Sequence, residues 1–180
     1  KDIDVSIKRG TAQSIVVGAT TAAGAVGAIP IPTPDAAVLV PLQTAMMGAI
    51  AKTYGIRENS QINSIVNSVL KVGMTTIAGR TLLNQLKLIP GLNAAGSVLN
   101  AVTAGIVTFA AGEISINMFE RVYKGDVEYK AVDWEAEAFS LFSKYMPGIM
   151  KAVKNYADKH DGVIDPKKLG DLLSELFPKK

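Results

Sequence analysis

The 180-residue chain has no cysteine, which excludes disulfides and thiolate-bound metals. It has one histidine, His160, and no HExxH, GxSxG or GxxxxGK[ST] pattern. Zinc-protease, serine-hydrolase and P-loop chemistry therefore lack their parts. Aromatic residues make up only 6% and charged residues only 19%, so alanine and glycine supply much of the bulk. The net charge of +3 is not gathered into a basic face, which argues against a nucleic-acid partner. A start at Lys1 reads as a fragment or a processed product. The basic start leads at once into a long Thr- and Gly-rich segment, which is not the layout of a signal peptide.

Charge is scarce where the chain is most apolar. Residues 10–112 hold seven charged side chains, whereas residues 121–180 hold 21. Gly10 to Ala51 carries Asp35 alone, and Leu88 to Gly112 carries none. So few charges cannot solvate an ordinary surface. This part must be covered by the chain's own tail, a partner chain or a lipid bilayer.

The pattern predicts an all-α, multi-helix bundle with a Gly/Ala-rich helical hairpin and one long central helix. Residues 1–8 alternate Ile3, Val5 and Ile7 with Asp2, Asp4 and Ser6, a period of two that reads as a short strand or an extended linker. Residues 9–124 form the Gly/Ala-rich helical domain, 125–132 a charged linker and 133–180 an amphipathic helical tail. A first helix over Arg9–Ile29 sets Gly18, Ala22, Gly24 and Ala28 at spacings that suit close helix contact. It is either a membrane-embedded arm or a core helix. Its uninterrupted part, Ile15–Ile29, is shorter than the ~20 residues a span needs, which favours the core. Pro30, Pro32 and Pro34 make the turn. Thr33 suits an N-cap and Asp35 the positive first helical turn. Asp35 also invites a catalytic or ion-binding reading, but its place at a helix start is the better account.

A second helix, Pro34–Tyr54, contains Pro41 and is capped by Gly55, with Met46 and Met47 filling core gaps. A third begins near Asn59, buries Ile62, Ile65, Val66, Val69 and Leu70, and breaks at Gly73. A fourth covers Met74–Leu88 and ends at Pro90-Gly91, with Arg80 and Lys87 on one face, available to phosphate head groups, an acidic partner or water. The fifth, Leu92–Lys124, is the longest. Asn93 and Asn100 disfavour a lipid-facing span, so burial between helices is expected. Its end sets Ile114, Met118, Phe119 and Val122 against Glu113, Glu120 and Arg121. Asp133 caps a sixth helix with Phe139, Phe142, Tyr145 and Met146 inward; Pro147-Gly148 divides it from a seventh, Ile149–Lys159. Asp165-Pro166 opens an eighth, with Leu169, Leu172, Leu173, Leu176 and Phe177 as its stripe. The DKHDGVIDPKKL run resembles a calcium loop. With Gly162 at loop position six, Lys168 falls where the bidentate carboxylate belongs, so a plain turn is the better reading.

Several motifs occur in order: the Gly/Ala helix, P-x-P-x-x-D-A at Pro30–Ala36, Q-x-x-M-x-x-x-I-A-x-x-Y-G at Gln43–Gly55, LKLIPGLNAAGSVLNAVTAG at Leu86–Gly105, and T-x-A-x-G-E ending at Glu113. Over roughly residues 9–124 the chain resembles a helical domain of unassigned function that commonly follows Era/HSR-type GTPase domains, and part of the YcjF-like inner-membrane proteins. The resemblance implies an all-α, often membrane-associated module working beside a GTPase, which this chain lacks. The expected function is therefore non-enzymatic membrane association. The alternatives are a protein-interaction or regulatory module of a GTPase and a membrane-inserting, toxin-like effector. Expected partners are a membrane surface or bilayer, a GTPase domain in cis or trans, and a second copy. No cofactor or metal is expected, and the location is membrane-associated or cytoplasmic. Candidate membrane or partner contacts are Ile29, Pro30, Ile31, Pro32, Pro34, Asp35, Arg80 and Lys87. Candidate helix-packing positions are Gly18, Gly24, Gly27, Gly105 and Gly112.

Overall fold

A computed structural model describes residues 2–27, 36–56, 60–75, 77–92, 96–128 and 131–177. Seven α-helices lie in these segments: α1 Asp2–Gly27, α2 Ala36–Thr53, α3 Ser60–Thr75, α4 Ile77–Leu86, α5 Gly96–Lys124, α6 Trp134–Lys159 and α7 Leu169–Ser174. A 3-10 turn at Pro166–Lys168 precedes α7. The described residues contain no strand.

The bundle is wrapped around α5. Every residue from Ala101 to Ile116 is buried. A helix without a polar side belongs in an interior, and α1, α2, α3, α4, α6 and α7 all pack on this one. Its 29 residues give a rod of about 44 Å. Polar residues survive inside because they bond to their own helix. The Thr103 hydroxyl donates to the Leu99 carbonyl at 2.8 Å, and the Ser115 hydroxyl to the Ala111 carbonyl at 2.7 Å. On α1, Thr20 does the same with Val16 at 2.8 Å.

Glycines set the closest approaches. A Cβ on Gly112 would lie 2.6 Å from a Val16 methyl, one on Gly105 2.9 Å from Leu169 Cδ1, and one on Gly24 2.7 Å from the Pro166 carbonyl oxygen. Gly18 does not belong with these. It is exposed and has nothing within 4 Å of a Cβ, because α1 turns this side outward. Gly27 closes α1, and its surroundings lie outside the described residues.

The expected extended segment at 1–8 is helical from Asp2 onward. Ile3 and Ile7, four residues apart, share the outward side, while Val5 turns inward. Contacts to the end of α5 hold this first part of α1: Asp4 accepts a hydrogen bond from Tyr123, and Arg9 pairs with Glu120. The predicted break at Gly73 is absent. Gly73 is helical and buried, and a Cβ there would lie 3.2 Å from the Phe142 ring of α6. The predicted division at Pro147-Gly148 is absent too. Both residues are exposed, and α6 runs through them with Leu141 and Phe142 buried before and Ile149 and Val153 after. Phe139, expected inward, is 53% exposed.

The tail shares the core of the rest. Leu169 and Leu173 are fully buried in the same cluster as Ile106 and Phe109. The Asp161-Gly162 turn, with both residues at positive φ, seats on Pro90-Gly91; a Cβ on Gly162 would lie 2.6 Å from the Pro90 carbonyl oxygen. That packing accounts for the DG sequence without calcium.

Gly112→Ala is expected to overpack the α1–α5 contact and lower stability by ~1–3 kcal/mol. Gly18→Ala faces open space and should raise it by roughly 0.5–1 kcal/mol. Urea unfolding of the two variants checks both signs.

Candidate functional site

The residues singled out at the proline turn, Ile29, Pro30, Ile31, Pro32, Pro34 and Asp35, lie outside the described residues. Arg80 is on α4, with its side chain likewise outside them, and Lys87 is exposed in the turn that follows α4. His160 is exposed, stacked on Tyr156 at 3.9 Å between ring centroids. Among the described residues, no three His, Asp or Glu side chains gather where they could hold a metal ion.

The structure instead draws polar groups into the seam where α1, the end of α2 and α5 meet. Arg9 and Gln13 are one turn apart on α1, and Glu113 and Glu120 are two turns apart on α5, so each pair lies along one side of its helix. The Arg9 guanidinium grips Glu120 with both forks, Nε to Oε1 at 3.0 Å and Nη2 to Oε2 at 2.8 Å. The Tyr54 hydroxyl donates to Glu120 Oε1 at 3.4 Å. Burial, and then the Glu120 charge, push the Tyr54 phenol well above its ordinary range. The hydrogen bond to Glu120 raises the Arg9 guanidinium. This clasp is half-buried and charge-neutral.

Glu113 lies deeper, at 4% exposure. Burial pushes its carboxyl up to about 7, with hydrogen bonding from Gln13 and the Arg9 charge pulling the other way. Gln13 is also buried, and its amide nitrogen donates to the Phe177 carbonyl at 2.7 Å. Glu113 Oε1 and Gln13 Oε1 are both buried acceptors that find no donor among the described residues. Tyr145 of α6 faces the same carboxyl and is raised by its own burial and by the Glu113 charge. A second polar link joins α2 to α5, where fully buried Gln43 donates to the Thr108 hydroxyl at 3.0 Å. Outside the seam, an open groove of about 800 Å³ runs along α2, lined by Gly48, Ala49, Lys52, Ile62 and neighbours.

Sequence reasoning missed this seam. Glu113 was expected on the polar side of an amphipathic helix end, but the structure buries it. One signal could have found it: between Leu88 and Phe119, Glu113 is the only charged residue.

The fold and its polar seam define an all-α bundle whose longest helix is internal. The chain belongs to the family described as Domain of unknown function (DUF697), whose pattern matches residues 3–137. The match begins inside α1 and ends within α6, so it takes in the segments expected to be an extended start and a linker. No curated protein and no solved structure matches the chain.

A carboxyl raised from 4.5 to about 7 binds its proton more tightly folded than unfolded. Stability is then fully kept below the unfolded value and falls as pH rises towards the folded one, by about 3 kcal/mol. Glu113→Gln, which is neutral throughout, should remove this fall. Urea midpoints of both proteins at about pH 5 and about pH 8 test it, and parallel profiles would refute it.

Proposed function

We propose that this chain is a non-enzymatic, membrane-associating helical module that works beside a GTPase domain in cis or trans. One observation carries the reading: α1 from Gly10 to Gly27 and α2 from Ala36 to Ala51 carry no charged residue, so the outward side of this helical pair is uncharged there. Thr11, Ser14, Gly18 and Ala25 are exposed on α1, and Pro41, Thr44 and Ala45 on α2. Ile3 and Ile7 project at one end of α1, 78% and 64% exposed. An apolar or uncharged face of this extent suits a contact that excludes water. Among the described residues, Val98–Lys124 is the one stretch long and apolar enough to cross a bilayer, and 94% of its most apolar window is inside the bundle. In this closed form the bilayer therefore meets α1 and α2, and α5 stays in the core. The GTPase link rests on the motif order at Gln43–Gly55 and Leu86–Gly105.

A second reading, docking of a protein partner, is favoured by the groove along α2. Its lining joins small residues of α2 with Ile56, Ile62, Val66 and Lys52. A membrane-inserting effector differs from both by requiring leakage.

Liposome flotation without detergent, on phosphatidylcholine vesicles with and without phosphatidylglycerol and loaded with dye, tests the proposal. The chain should float without releasing dye. An Ile3→Asp/Ile7→Asp variant should float several-fold less at unchanged melting temperature. Absence of flotation would overturn the membrane reading, and dye release would turn it into insertion.

A further inference from the structure

Residues 160–177 lie beyond the family match, which ends at 137, yet the 3-10 turn and α7 within them pack on both α1 and α5. They run along α1 against α5. The Pro166 carbonyl rests on Gly24, Gly170 on the Val17 backbone and Leu169 on Gly105. Gln13 donates to the Phe177 carbonyl at 2.7 Å, and the Thr21 hydroxyl, which bonds the Val17 carbonyl of its own helix at 3.0 Å, lies 3.4 Å from the Lys167 carbonyl. The Phe177 ring packs on Phe109 of α5 with centroids 5.6 Å apart. What this segment covers is the stretch of α5 that has no charge.

Two features separate this segment from a permanent part of the wall. Its helix, α7, has six residues, too few to stand as a helix away from the groove that holds it. The short hydrogen bond it receives from α1, from Gln13, goes to a backbone carbonyl rather than to a side chain. A segment that owes its order to docking opens at lower cost than the interior beneath it.

The geometry points to residues 160–177 as a releasable strap, whose departure from the α1–α5 seam uncovers the apolar side of α5 for a bilayer. The second half of this inference rests on the membrane reading above; the first does not.

The seam itself offers the lock. A Cβ on Gly105 would lie 3.9 Å from the Leu169 Cβ, the separation a disulfide prefers. The chain has no cysteine to compete. The Gly105→Cys/Leu169→Cys variant of the 180-residue chain, oxidised and reduced, is floated on phosphatidylcholine–phosphatidylglycerol vesicles. The oxidised form should keep the weaker flotation that α1 and α2 give the closed bundle, the reduced form should float at least several-fold more, and equal flotation would overturn the gate. A second measurement needs no membrane and no crosslink: maleimide labelling of the Leu169→Cys thiol in native buffer, against that of Val69→Cys on α3. Both parent side chains are fully buried. Labelling at 169 at least tenfold faster means the strap opens on its own; equal rates mean it opens only when the whole fold does, and the strap fails. Fast labelling with no flotation of any form would leave the strap standing and the membrane reading refuted.

Discussion

Burial of α5 on all sides is the constraint on which the other elements depend. A helix with sixteen consecutive buried residues, Ala101 to Ile116, has no face to give to water. It needs a complete jacket, and six other helices supply one. The jacket explains the uneven charge along the chain. The helices that touch α5 most closely, α1 above all, must be smooth, so they are written in Ala, Gly, Ser, Thr and Val. The charges collect in residues 121–180, where α6 and the tail turn one side to solvent.

Much of this could be read from composition and period. The third helix shows why: Ile62, Ile65, Val66 and Val69 recur at helical spacing, and all are buried, with Asn63, Asn67 and Lys71 exposed. The cap at Asp133 was equally plain, since its carboxylate accepts from the Ala136 amide at 3.1 Å. Legibility failed where tertiary packing overrode a local rule. Pro147 and Gly73 are helix breakers by propensity, but buried neighbours on both sides carry the helices through them. The alternation of Ile3, Val5 and Ile7 looked like a strand because seven residues are too few to tell a period of two from one of 3.6. The interhelical contacts of Gly24, Gly105 and Gly112 and the open setting of Gly18 have the same local signature. Which side of α1 faces α5 is decided by the whole fold.

The polar seam was illegible for a related reason. Arg9 and Glu120 are 111 residues apart, and nothing in either neighbourhood announces the other. Their clasp fixes the register of α1 on α5 at one end, while Gln43 and Thr108 fix α2 on the same helix. In a contact made of small, interchangeable side chains, apolar packing alone tolerates sliding. A few directional bonds give the sheath one alignment instead of several.

The hydroxyls of the interior have one more consequence. Thr20, Thr103 and Ser115 each spend their hydrogen bond on the carbonyl one turn back in their own helix. Their polarity is therefore private to the rod that carries it. These three hydroxyls need nothing from a neighbouring helix, so a change of neighbours would strand only the groups of the interhelical links, Arg9 with Glu120, Gln13 with Phe177 and Gln43 with Thr108. Away from those few links, the fit between the rods is a matter of shape, and shape here is set by glycine, alanine and valine, the side chains least particular about what they touch.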